Sequence, residues 1–200
     1  MKIQKHQENS AKLLARFAGA GFPPEVVQRI GALALIWGMF ETNLESTLYD
    51  LREDKLSSVS TRISDLIDVM GSSENKLPPA AQKVFANTGL AAKDLMEYRH
   101  AIIHGWLIPA PIGPLFIRNP SWSGKPHKRT SNDAHIDENL LDMAIDSAWI
   151  MYQVVIIARK VSSDPNAAQA LEAMTSDVTR ARSQAGELRH LTALMNHEKN

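Results

Sequence analysis

Apolar residues in the first quarter of the chain return every three or four positions: Val26, Val27, Ile30, Leu33, Ala34, Trp37, Phe40, Leu44, Leu48 and Leu51. That spacing lays them along one side of a helix and is incompatible with a strand, whose faces alternate at every second residue. Pro23-Pro24 supplies the helix start, because a proline in the first turn gives up an N–H that has no partner there in any case. Four further runs repeat the pattern, so an all-α bundle is the expected fold.

A second helix is expected from about Ser57 to Met70, carrying Val59, Ile63, Leu66, Ile67 and Met70 and stopped by Gly71. Pro78-Pro79 opens a third, with Val84, Phe85, Thr88, Ala91, Ala92, Leu95, Tyr98, Ile102 and Ile103 in register and Gly105 as its C-cap. Trp106-Leu107-Ile108 and Leu115-Phe116-Ile117 read as the two arms of a small β-hairpin around a proline-rich turn. Residues 119 to 134 are mostly loop, whose end is placed to add a short strand. A fourth helix runs from near Asp137 to Lys160 on Leu140, Leu141, Ala144, Ile145, Ala148, Trp149, Tyr152, Val155 and Ile156. Asp164-Pro165 starts a last helix reaching about Met195, with Leu171, Met174, Val178, Ala181, Ala185, Leu188 and Met195 as a short heptad-like seam with a polar gap at Thr192, which needs a partner surface in its own chain or in a second subunit. The division expected is a helical domain over 1–160 and a C-terminal helix over 161–200.

With 200 residues, 44% of them hydrophobic, the chain can bury a sizeable core. Its 22 Lys and Arg balance 22 Asp and Glu, which argues against indiscriminate adhesion to nucleic acid through many phosphate contacts. The absence of cysteine rules out disulfides, thiolate metal sites and a thiol nucleophile. The first residues, MKIQKHQENSAKLL, are polar and lack the apolar core of a signal peptide. The longest apolar stretches, Ile30 to Phe40 and Trp149 to Ala158, are about half the roughly 20 residues of a spanning helix. A cytoplasmic protein without membrane association is expected. Phosphate-binding glycine loops, a nucleophilic serine elbow and a dinucleotide fingerprint are all missing from the sequence.

The stretch that carries chemistry is Glu97-Tyr98-Arg99-His100-Ala101-Ile102-Ile103-His104-Gly105-Trp106, which delivers a guanidinium and two imidazoles to the last turns of the third long helix. Imidazole exchanges protons near neutral pH, and guanidinium is a permanent, fork-shaped cation suited to phosphate oxygens. At 100° per residue, Arg99 and His104 lie about 140° apart around the axis, while His100 and His104 project from one side. The same residues also fit a plainer role, complementing the negative end of the helix dipole. His100 and His104 have i, i+4 metal-ligand spacing, but Ala101 stands where the zinc metalloprotease pattern requires Glu, so neither a metal nor any other cofactor is expected.

A helix ending in Arg99-His100-Ala101-Ile102-Ile103-His104-Gly105, followed by a hairpin and another long helix, resembles the HEPN superfamily, whose signature is Arg, four to six residues, then His. The resemblance covers about residues 24 to 160. His100 stands where many members carry Asn or Asp. What the resemblance implies is an HEPN-like bundle and a metal-independent endoribonuclease of the toxin or phage-defence kind. It acts as a homodimer in which Arg99 and His104 of both chains share a cleft: His104 is the general acid or base, Arg99 stabilises the phosphate, and His100 assists. Glu41 resembles the acidic position of the first long helix in some relatives, suited to orienting Arg99 or His104, although an exposed position beside Phe40 is equally compatible with the pattern.

Arg118, Lys125, His127, Lys128 and Arg129 form a basic run with Trp122, which can stack on a base; this is the expected RNA-facing lip, or else a solvated surface loop. RNA and a cognate antitoxin are therefore the expected partners. The alternative is a non-catalytic dimer of the same architecture that binds nucleotide, RNA or another protein.

Overall fold

A computed structural model describes residues 2–20, 22–52, 62–110, 113–117 and 134–197. Its elements are α1 (Lys2–Gly19), α2 (Pro24–Arg52), α3 (Ile63–Val69), α4 (Pro79–His104), β1 (Trp106–Ala110), β2 (Gly113–Ile117), β3 (Ala134–His135), α5 (Glu138–Arg159), α6 (Ala167–Ala173) and α7 (Thr175–His197). The protein is an all-α helical bundle with one small antiparallel sheet, ordered β1-β2-β3. Trp106 pairs with Ile117 and Ala110 with Gly113 across the hairpin, and β3 joins β2 through Leu115 opposite His135.

Each long helix buries the face its sequence pattern defines. From α2 these are Leu33, Trp37, Phe40, Leu44 and Leu48; from α4, Phe85, Ala91, Ala92 and Leu95; from α5, Leu141, Ala144, Ala148, Met151 and Val155. Polar contacts fix the directions in which these faces meet. Arg29, early in α2, holds Glu138 at 3.0 Å and Asp142 at 2.8 Å, both early in α5. At the other end Arg159 holds Asp50 at 2.8 Å, and between them the buried Thr47 hydroxyl donates to the Val155 carbonyl at 3.2 Å. The two helices therefore run parallel. Arg182 to Asn87 and Arg189 to Asp94 set α7 parallel to α4 in the same way. By contrast, the Lys76 N–H donates to the Leu51 carbonyl, where α4 is about to begin and α2 is about to end, so those two run antiparallel. The end of α4 consequently lies beside the start of α2.

The helix starts follow the sequence signals. Asp137 caps α5 by accepting the Leu140 N–H at 2.8 Å, and a proline occupies the first turn of α4. Gly105 ends α4 with φ −85° and ψ 162°, an extended conformation open to any residue, so the left-handed cap implied by a terminal glycine is not what stops this helix. Glycine matters more at Gly89. A Cβ there would sit 3.0 Å from the Met70 Cβ and 3.1 Å from the Ile67 carbonyl oxygen, which shows how closely α3 lies on α4.

One expected helix is divided, a helix stands where the sequence reading placed no element, and one expected helix is only partly covered by the described residues. Residues 2–19 form a helix although the segment is polar overall, because Ile3, Leu13, Leu14 and Phe17 still gather on one side. The second helix covers Ile63–Val69, and the earlier part of its expected range, Val59 included, lies outside the described residues. The expected last helix is two helices separated at Met174: the Asp164 carboxylate accepts the Asn166 N–H ahead of α6, and the Thr175 hydroxyl donates to the Glu172 carbonyl at 2.6 Å at the break. The apolar seam of α6 and α7, with Leu171, Val178, Ala181, Ala185 and Leu188 buried, is covered by α4 and α5 of the same chain.

Glycine substitutions separate helix propensity from packing. Gly31→Ala, with open space around its Cβ, gains up to about 1 kcal/mol of stability. Gly89→Ala drives a methyl into a carbonyl that cannot yield and loses about 1–3 kcal/mol despite the same propensity gain. Urea denaturation of the two variants is expected to shift the midpoint in opposite directions.

Candidate functional site at the end of α4

The last two turns of α4 divide their side chains between interior and surface. Tyr98, Ala101 and Ile102 are buried, Arg99 and His100 half-buried, and His104 exposed. The Tyr98 hydroxyl donates to the His135 carbonyl at 3.2 Å, tying β3 to the helix immediately beside Arg99. Burial, reinforced by the Asp137 charge, pushes the Tyr98 phenol far above its usual range, so it stays a neutral donor throughout physiological pH.

Arg99 turns toward α2. Its guanidinium carbon lies 6.0 Å from the centroid of the Trp37 ring, at the outer limit of a cation–π contact. Trp37 is fully buried, and its indole N–H donates to Glu41 Oε1 at 2.5 Å. Arg99 Nε is buried and has no hydrogen-bond partner among the described residues. A buried donor left unsatisfied is costly, and it can be satisfied by an acceptor supplied from outside the chain. On the other side of the helix, the His100 and His104 rings lie 5.6 Å apart, tilted by 57°.

The structure thus brings together two groups: Glu41, Trp37 and Arg99 inside, and His100 with His104 outside. Arg99 and His104 leave the helix in directions about 140° apart, as an ideal helix requires. Glu41 is half-buried and its bond goes to Trp37, so its link to Arg99 runs through the indole; no hydrogen bond joins it directly to Arg99 or His104 among the described residues. Arg118, Trp122, Lys125, His127, Lys128 and Arg129 lie outside the described residues, as does any lip they form. Among the described residues no three His, Asp or Glu side chains group as a metal set. A 22-residue α5 has the length and apolarity to cross a membrane, but in this bundle it is a core helix packed on α2, α4 and α7.

Trp37 is the residue that sequence reading assigns to the core alone. Its i, i+4 spacing to Glu41 is the one sequence signal that marks it as more, since residues so spaced are neighbours on a helix. Comparison with family models, with curated proteins and with solved structures finds no match.

Two substitutions test this geometry. Trp37→Phe keeps an aromatic ring beneath Arg99 but removes the donor to Glu41, and is expected to cost about 1–3 kcal/mol in thermal or chemical denaturation. Because the folded phenol of Tyr98 holds its proton above the pH at which an unfolded tyrosine loses it, its raised pKa subtracts stability as pH rises beyond about 10. Tyr98→Phe is therefore expected to be less stable than wild type near neutrality by about 1 kcal/mol and to show a flatter decline above pH 10.

Proposed function

We propose that the protein is a metal-independent endoribonuclease of the toxin or phage-defence kind, acting as an HEPN-like homodimer on RNA, with a cognate antitoxin as a further partner. The observation that carries this reading is Arg99 Nε, a buried cationic donor lacking an acceptor from the described residues, five residues before the exposed His104 on the same helix. An RNA phosphate is the acceptor that a guanidinium fork fits best.

His104 removes the proton from a ribose 2′-hydroxyl. The 2′-oxygen attacks the adjacent phosphorus, and the 5′-oxygen leaves with a proton returned by the imidazolium of the same or the second chain. The products carry a 2′,3′-cyclic phosphate and a free 5′-hydroxyl. Arg99 stabilises the negative charge that builds on the phosphate oxygens. Because Arg99 and His104 diverge on one helix, pairing two copies is what supplies both groups to one phosphate. His100 adds a second proton-carrying group beside His104, and the basic run from Arg118 to Arg129 with Trp122 guides the strand.

The same divergence favours a second reading, a non-catalytic dimer in which Arg99 and His104 bind nucleotide or RNA, or hold an interface. Incubation of the purified protein with mixed RNA in EDTA distinguishes the two. Under the first reading wild type leaves cyclic-phosphate ends, and Arg99→Ala and His104→Ala each slow cleavage by at least about 100-fold while remaining folded. Equal RNA decay in all three samples, with wild type still binding RNA, establishes the second.

A further inference from the structure

The chain has seven histidines, and only His100 and His104 stand four residues apart. On a helix that spacing sets two side chains one above the other on a single face. In α4 it brings their ring centres within 5.6 Å, with His104 exposed and His100 half-buried. A single imidazole is enough to exchange a proton, whereas two at this distance are also a chelate.

The separation suits one shared ion. Zinc–nitrogen bonds of about 2.0–2.1 Å put an ion held by two imidazoles roughly 3.2 Å from each ring centre, so centres 5.6 Å apart subtend about 120° at it, near the tetrahedral angle. The rings reach that geometry by turning about their outer torsions, which are soft for an imidazole. An imidazole has two ring nitrogens, so a contact that holds His100 at one leaves the other for the ion, the usual arrangement at metal-bound histidine.

The surroundings favour a cation at this place. His104 is the last residue of α4, where the helix dipole is negative. Arg99, whose charge opposes a metal, leaves the helix about 100° from His100 and 140° from His104 and lies against Trp37 on α2. With no thiolate in the chain, imidazole is the donor that suits borderline ions such as Zn2+.

We infer that His100 and His104 chelate a divalent first-row transition-metal ion of the Zn2+ class, and that this ion shuts the candidate site off. A neutral imidazole has one nitrogen with a free lone pair, and once the metal holds it no acceptor is left on His104 for the 2′-hydroxyl proton. Among the described residues no third His, Asp or Glu gathers with the pair, so water completes the coordination. An ion held by two protein ligands exchanges readily, which fits an inhibitor and not a resident cofactor. The metal site stands on the two rings alone, while the shut-off rests on the ribonuclease reading.

The test uses the full chain and ZnCl2. Calorimetric titration is expected to show one Zn2+ per chain, and excess zinc to raise the melting temperature, because the folded helix presents a pair that the unfolded chain lacks. His100→Ala and His104→Ala, with circular dichroism spectra like that of wild type, are each expected to weaken binding at least about tenfold and to remove the thermal shift. His190→Ala, at an exposed position on α7, changes neither. A wild type that binds no zinc, or variants of the pair that bind it as wild type does, overturn the site. With RNA, the ratio of the rate in zinc to the rate in EDTA is expected to fall at least about tenfold for wild type and to stay near unity for His100→Ala, whatever that variant's own rate. Cleavage that zinc bound by the pair does not slow overturns the shut-off. Zinc bound by the pair in a protein that cleaves no RNA even in EDTA supports the metal site and overturns the ribonuclease reading alone.

Discussion

The parallel packing of α2 against α5 is the constraint on which the remaining architecture depends. Helices joined by a short loop come out antiparallel, so two parallel neighbours need a connection that runs back once along the length of the bundle. Here that connection is α3, α4 and the sheet, and the geometry leaves α4 antiparallel to α2. The end of α4 is thereby delivered to the start of α2, with Arg99 turned onto Trp37. Leu44, Leu48 and Val155 supply the apolar burial, while Arg29 and Arg159 at opposite ends hold the direction. Exposed pairs of that kind contribute little to stability, typically under about 1 kcal/mol each. Their part is to penalise the reversed orientation, which would set like charges side by side.

Trp37 links this frame to the candidate chemistry. One face of its indole belongs to the core, in contact with Phe40 at 5.3 Å between ring centres, while the N–H binds Glu41 and the ring approaches Arg99. A carboxylate, an indole and a guanidinium are thus arranged in series across two helices. A change at Glu41 reaches Arg99 through a rigid buried group, without direct contact.

The long helices are legible in the sequence because burial imposes periodicity on them. Asp137 and Pro79 mark their starts through hydrogen-bonding needs that are local to a few residues. The hairpin, too, is marked locally, by β-type runs flanking prolines. What the residues do not disclose depends on distance along the chain: that α2 and α5 are parallel, that Arg99 leans on Trp37, or that α7 rests on its own chain. The polarity of residues 2–19 conceals a helix because an average over the segment hides four apolar side chains on one side. The break at Met174 is similarly hidden, since the apolar seam continues across it while the Thr175 hydroxyl donates to the Glu172 carbonyl. Of the candidate site, the residue types and their helical angles could be read, whereas the tie between Glu41 and Trp37 needed a rotamer that spacing alone does not specify.

The parallel pairing also has a consequence for how the chain is made. Thr47 and its acceptor Val155 are 108 residues apart, and at a synthesis rate of roughly 5–20 residues per second the interval between their emergence is about 5–20 s. During that time α2 has left the ribosome with Trp37, Phe40 and Leu44 uncovered by α5. Newly made chains in this interval present the apolar stripe of α2 to solvent or to one another, a surface that a chaperone can cover until α5 arrives.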